Sequence, residues 1–429
     1  MQLHRYENVM ANRASERKQF QVKASIIIPS YNARERLYLN LIALNEQNYN
    51  NDDVEVIVID NGSKDNTMDM LNSFDLKYPL KTIRVEENRG IAFGRNKGVL
   101  KAEGDILIFH DSDMIASKDF IRQHLEVHKQ PNIVACGLFW RRIFTYYYKK
   151  FTPDQQVNFE KIRKLMGLNS TSTFQYVHPV ITEKMVKNYD LSAFSFDLDF
   201  GFIADLKDII GQYGRDLVGY YLPWRFFITN NLSVEREKVL AVGMFDTNIV
   251  RYGYEDYDLG IRLYKSGCRF VMADHIVSLH QEHPANYQSD DLVVNINYMC
   301  SKYNSIYFID VLLVCLSDSL SLNKIMMNGI TRDINTILAL PEYHEILELF
   351  LELLQVMRRR FFSPQEDYSM AQFSKISEKM GTYIKMTLQL QRKVEVPYFI
   401  QQLSILFKLA FDIDFDWLVK ANKEREDLL

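Results

Sequence analysis

Asp111 and Asp113 stand two residues apart just past the apolar run Ile106-Leu107-Ile108-Phe109, which follows a Gly104-Asp105 turn. A short run rich in Ile and Phe reads as a buried strand of a parallel sheet. In an extended chain residues two apart face the same way, so both carboxylates are expected side by side beyond the strand's carboxyl end. Open α/β sheets bind their ligands at that edge. Paired carboxylates there suit Mg2+ or Mn2+, with a diphosphate completing the coordination. A turn or cap ahead of Met114 uses the same triplet, so the rest of the chain must decide.

The elements that would position this pair recur as β-α units. Residues 24–29 form a β-branched run closed by proline and read as a first strand, followed by a helix over 32–47. Residues 54–60 give a second strand, with a turn at Asn61-Gly62-Ser63 and a helix that Asp65 would cap. A third strand, 80–85, leads into a helix over 91–101. The fourth strand ends at the aspartates, Ser117 would cap a helix reaching 128, and 132–139 supplies a fifth strand. Alternating strands and helices imply a doubly wound mixed α/β sheet.

The pattern breaks at 140–222, which reads as an insertion across the ligand edge with a helical patch at 155–166. Strand-like runs return at 231–234, 269–272 and 276–279, with helices over 236–242 and 255–266. Beyond Pro284 the β-branched runs stop. Amphipathic stretches at 292–303, 306–316, 343–360, 372–389 and 398–409 imply a separate α-helical domain. The expected division is a polar leader over 1–23, an α/β domain over 24–285 and an α-helical domain over 286–429.

Charge and cysteine usage narrow the function. A formal charge of −4 argues against nucleic-acid binding, which needs a concentrated basic surface. Cys136, Cys268, Cys300 and Cys315 show no Cys-x-x-Cys spacing, so they read as small buried hydrophobes in a reducing compartment. Residues 1–23 contain no apolar core of signal-peptide length, so a cytoplasmic setting is expected. Contact with a membrane surface through an amphipathic helix stays open.

Four ordered motifs carry a family resemblance: Ile28-Pro29-Ser30-Tyr31-Asn32, Asp60-Asn61-Gly62-Ser63-Lys64-Asp65, Asn88 through Asn96, and Asp111-Ser112-Asp113. Together they resemble the family-2 glycosyltransferases with the GT-A nucleotide-diphospho-sugar transferase fold, over about residues 24–285. Gly243-Met244-Phe245-Asp246 and Tyr252-Gly253-Tyr254-Glu255-Asp256-Tyr257-Asp258 are similar to the acceptor-side segment of galactosyltransferase-like members. The resemblance implies a metal-dependent, inverting transfer of a hexose from a nucleotide-diphospho-sugar, expected to be a UDP-sugar, to a hydroxyl of a glycan, glycoconjugate or protein.

It also implies roles. Pro29 and Tyr31 would shape the base pocket, and Asp60 would accept the uracil imide N–H; an Asx-turn is the rival use of Asp60. Arg95 would clamp ribose or diphosphate oxygens, or else lie on a solvated helix face. Asn88, Ser112, Trp224 and Asn231 would complete the donor site, Trp224 being equally suited to a core. Asp111, Asp113 and His280 would hold Mn2+ or Mg2+, with His283 beside Pro284 the weaker ligand. Asp256 would be the base and Glu255 would hold a sugar hydroxyl, although the helix dipole alone favours acids there. A catalytically silent nucleotide-sugar-binding or assembly module is the rival function. A sugar nucleotidyltransferase is the other, but its Gly-rich basic first loop is missing. The helical domain would serve a homodimer, a membrane surface or a polymeric acceptor.

Overall fold

The computed structural model describes residues 23–138, 141–197, 201–284, 289–362 and 376–411, with the backbone alone at 201–204 and 289–290. The chain divides into two compact units, Met1–Val218 with Pro223–Gln288, and Gly219–Leu222 with Ser289–Leu429. The polar leader to residue 22 lies outside the described residues.

In chain order the strands of the first unit are β1 (Ala24–Ser30), β2 (Val54–Asn61), β3 (Leu80–Val85), β4 (Ile106–Phe109), β5 (Met114–Ala116), β6 (Ile133–Cys136) and β7 (Arg141–Ile143). They continue with β8 (Tyr146–Tyr148), β9 (Val177–Pro179), β10 (Ser195–Asp197), β11 (Leu232–Glu235), β12 (Arg269–Met272) and β13 (Ser278–Gln281). Its helices are α1 (Arg34–Asn45), α2 (Thr67–Ser73), α3 (Ile91–Lys101), α4 (Phe120–Val127), α5 (Pro153–Leu165), α6 (Glu183–Asn188), α7 (Gly201–Tyr213), α8 (Arg236–Ala241) and α9 (Glu255–Lys265).

Seven strands form the main sheet in the order β12-β6-β11-β4-β1-β2-β3. All neighbours are parallel except β11, which runs antiparallel to both β4 and β6. β1 and β2 are buried along their whole length, as strands covered on both faces must be. Leu37, Leu41 and Leu44 of α1 pack with Ile26, Val56, Ile108 and Phe120 into one core cluster. Ser30 pairs in register with Asp60, so the carboxyl ends of β1 and β2 open at one edge.

A second sheet, β10-β7-β13-β5, stands beside that edge. β13 pairs antiparallel with β5 and parallel with β7, which sets His280 opposite both Met114 and Arg142. Segment 140–222 supplies β7, β10 and an aromatic core in which Phe144, Phe151 and Phe159 pack with Ile115 and Leu279.

Several expected details differ. Asp65 does not cap α2: its carboxylate accepts from Arg34 N at 3.0 Å and Thr67 Oγ1 at 2.5 Å, and Asn66 precedes the helix in the left-handed region. Ser117 does not cap α4, which starts at Phe120 after Asp119. The fifth strand stops at Cys136, three residues short of the expected end.

The second unit contains α10 (Ser289–Lys302), α11 (Ile309–Cys315), α12 (Lys324–Leu338), α13 (His344–Phe362), α14 (Met380–Lys393) and α15 (Pro397–Phe411). The tetrapeptide Gly219–Leu222 joins it because Asn328 accepts from Tyr221 N at 2.7 Å and donates to Gly219 O at 3.0 Å. Asp333 on α12 accepts from Phe399 N at 3.0 Å, tying α12 to α15. No helix among the described residues is long and apolar enough to cross a membrane.

Candidate active site

β4 ends at Phe109, and residues 111–113 turn instead of continuing extended, with Met114 N donating to Asp111 O at 3.1 Å. Asn40 Nδ2 donates to Asp111 O at 2.9 Å and Gln281 N to Asp113 O at 2.8 Å, fixing the turn from α1 and β13. Asp113 Oδ2 lies 3.0 Å from His283 Nε2 and 3.7 Å from His280 Nε2. Ligand atoms of Asp113, His280 and His283 all fall within 4.8 Å of one another. One carboxylate and two imidazoles gather here, His283 beside the expected His280, while Asp111 Oδ1 pairs with Arg95.

Burial works against the Asp113 charge, but His280, His283 and Arg36 outweigh it and hold this carboxyl well below its ordinary range. Burial pushes His280 down to about 4, leaving a neutral imidazole with a lone pair to offer. An ionised carboxylate beside neutral imidazole is a donor set that fits a divalent transition metal.

Asp111 turns to Arg95, whose Nη2 donates to Asp111 Oδ1 at 3.0 Å while Nη1 donates to Glu255 Oε1 at 2.9 Å. Arg95 is only 2% exposed, with its guanidinium 5.5 Å from the Phe245 ring centroid. Each Nη donates to a protein carboxylate, so Arg95 braces the aspartate turn after β4 to the start of α9.

α9 begins sharply. Gly253 and Tyr254 both adopt positive φ, 95° and 70°, and the second of these precedes Glu255 at the helix start. Glu255 is 4% exposed, and its Oε2 is buried with no hydrogen-bond partner. Asp256, half-buried, accepts from Tyr257 N at 2.9 Å. Burial and the adjacent Glu255 charge push the Asp256 carboxyl up to about 8, against the pull of Arg95. Asp258 is spent on Arg262, at 2.5 Å.

Residues 25–187 match the family described as glycosyl transferase family 2, and residues 212–284 match the N-terminal domain of galactosyltransferase. An uncharacterized glycosyltransferase of Bacillus subtilis (strain 168), YfnE, is 45% identical over 395 residues, covering 92% of this chain and 98% of the relative. The chain belongs to the family-2 glycosyltransferases. Its sheet, with one reversed strand among seven, is of the GT-A type. Chondroitin synthase of Escherichia coli is 26% identical over 271 residues, 62% of this chain and 36% of that protein. The solved structure of S. aureus TarS 1-349 in complex with UDP-GlcNAc is 15% identical, covering 95% of this chain and 92% of that one, with a TM-score of 0.41.

In this glycosyltransferase the remaining expected donor residues divide. Asp60 is the next-to-last residue of β2, with Oδ1 accepting from Ser63 N at 3.0 Å, while Oδ2 pairs with Arg84. Tyr31, 44% exposed, and buried Pro29 lie at the same edge. Asn88 Oδ1 accepts from Asn61 Nδ2 at 2.9 Å and Gly90 N at 3.0 Å, so Asn88 shapes its own turn. Ser112 is buried within the aspartate turn. Two expectations fail. Trp224, 1% exposed, sits edge-on to Tyr257 in the core. Asn231, fully buried, donates to Leu138 O at 3.0 Å and Ile276 O at 2.8 Å and accepts from His124 at 3.0 Å. Neither presents a surface to a sugar.

Arg84 and Arg36 were not among the expected site residues, and His283 lies nearer Asp113 than the expected ligand His280 does. Arg84 sits at a strand end in register with Asp60, a signal available once β2 and β3 are paired.

Proposed function

We propose that this glycosyltransferase is a metal-dependent, inverting enzyme that moves a hexose from a UDP-hexose to an acceptor hydroxyl. What supports the reading is one juxtaposition. Asp113 and its two histidines follow Asp111 in the turn after β4, and Arg95 links Asp111 to Glu255, the neighbour of Asp256 in the first turn of α9.

Asp113, His280 and His283 would hold the metal, which supplies positive charge to the departing diphosphate. Two nitrogen donors and one carboxylate suit Mn2+ better than Mg2+, which prefers an all-oxygen shell. Asp60, fully buried and steadied by Ser63 and Arg84, stands at the strand-end edge where the resemblance puts the uracil imide N–H. Tyr31 offers an exposed ring beside it. Glu255, which the resemblance assigns to a sugar hydroxyl, is braced by Arg95 at the start of α9. Asp256 takes the acceptor's proton as the acceptor oxygen bonds to the anomeric carbon, and the carbon–phosphate-oxygen bond breaks with its electron pair leaving on UDP.

The acceptor is a hydroxyl of a glycan, glycoconjugate or protein. Named relatives include chondroitin synthase and a validoxylamine A glucosyltransferase, of which this chain spans 36% and 61%, so they point in different directions. UDP release from UDP-glucose or UDP-galactose tests the reading without an acceptor. Slow hydrolysis with Mn2+ is expected, abolished by EDTA and lowered at least about 100-fold in Asp113→Ala. Hydrolysis indifferent to EDTA would remove the metal from the account.

A further inference from the structure

His280 is held by strand pairing on β13, but His283 lies two residues beyond that strand's last residue, Gln281. Its place opposite Asp113 therefore depends on other contacts. Glu282 N donates to Ile143 O at 2.8 Å. The buried Glu282 carboxylate is gripped at both oxygens, Oε1 by Arg142 Nη1 at 2.6 Å and Oε2 by Gln155 Nε2 at 2.7 Å. The same Gln155 Nε2 donates to His283 O at 2.8 Å, so its two hydrogens serve the carboxylate and the backbone of adjacent residues.

Gln155 is itself pinned. It stands third in α5, where its Oε1 accepts from Thr152 N at 3.1 Å and its own N–H donates to Thr152 Oγ1 at 3.3 Å. That reciprocal pair is a capping box, which fixes the side chain as well as the helix start. The amide thus has one end on a rigid helix terminus and the other on the peptide that carries an imidazole to Asp113.

We infer that Gln155 is a positioning residue for the cation site, holding the Glu282-His283 peptide so that His283 Nε2 stays beside Asp113. The inference rests on the reading of Asp113, His280 and His283 as metal ligands. Outer partners of this kind orient the ligating groups, and their loss typically weakens metal binding 10- to 100-fold.

Gln155→Glu isolates the effect. A glutamate also completes a capping box with Thr152, so the helix start survives. The donor is replaced by a carboxylate facing the Glu282 carboxylate and the His283 carbonyl. Titration of the full chain with Mn2+ alone, followed by calorimetry or by loss of the free-ion electron paramagnetic resonance signal, is expected to show affinity reduced about 10-fold or more. The double variant Q155E/E282Q restores a donor opposite the new carboxylate and is expected to recover much of the affinity. If Q155E loses its cooperative metal-free unfolding transition, Gln155→Ala gives the same comparison without the added charge. Unchanged Mn2+ affinity in the Gln155 variants overturns the positioning role while leaving the metal site intact. An unmodified chain that binds no Mn2+ overturns the metal reading, and this inference with it.

Discussion

Asp256 is held in an environment that opposes its charge. Burial and the neighbouring Glu255 push its carboxyl from 3.8 up to about 8, against Arg95 and the Tyr257 N–H. Between those values the native protein keeps a proton that the unfolded chain releases, so this group lowers stability as pH rises from about 4 to about 8. Asp256→Asn keeps the neutral form at every pH. Its thermal midpoint should exceed that of the unmodified protein at pH 8, with the gain shrinking toward pH 4, while transfer falls by about 100- to 10,000-fold. Activity of the unmodified enzyme should climb with pH up to about 8, because the base must be ionised to accept a proton. A midpoint lowered by Asp256→Asn at pH 8 would contradict the burial argument. That Asp113 and His280 come within 3.7 Å was expected from metal-ligating types at strand ends and from the family resemblance. The partner of Arg95 was not, since Glu255 lies 160 residues away in sequence.

At the level of elements, the site depends on a close approach between the start of α3 and the loop before α9. Gly90 precedes α3 at φ +85°, and a Cβ there would meet Val250 O at 2.7 Å. Gly90→Ala should destabilise by about 1–3 kcal/mol and lower turnover by displacing the loop that leads to Glu255 and Asp256. Chemical denaturation and a turnover assay on the same sample check both. Normal stability would show that the loop yields freely. β3, α3 and β12 run over the residues that β-branching and apolar spacing indicate, 80–85, 91–101 and 269–272. In the second sheet β13 lies two residues beyond the expected 276–279, whereas β5 and β7 have three residues each, too few to display an alternation. α12 falls outside the expected helical stretches although its signal is present: Asn323 accepts from Met326 N, and Met327, Ile330, Ile334 and Ile337 are buried at helical spacing.

Across the whole molecule, the loss of β-branched runs beyond Pro284 announced the helical C-terminal region, whereas the attachment of Gly219–Leu222 to it depends on Asn328 and leaves no trace in composition. The larger unit carries an acid weakness in its core. His124 and His128 share Ser233 Oγ at 2.9 and 2.8 Å, and burial pushes them down to about 3 and about 4. The unfolded chain takes up protons at these positions below about 6.5 while the native one resists, so stability should fall as pH drops from about 6.5 toward 4. His124→Gln should flatten that part of the profile in pH-dependent thermal unfolding, and an unaltered slope would acquit the pair. The central claim is that a cation site and a separate base act on one donor. It is tested most directly by measuring Mn2+-dependent UDP binding and UDP-hexose turnover together in the unmodified protein, Asp113→Ala and Asp256→Asn. The account predicts that Asp113→Ala loses both, and that Asp256→Asn keeps binding but loses turnover. Turnover that survives in Asp256→Asn, or Mn2+-dependent UDP binding that survives in Asp113→Ala, would contradict it.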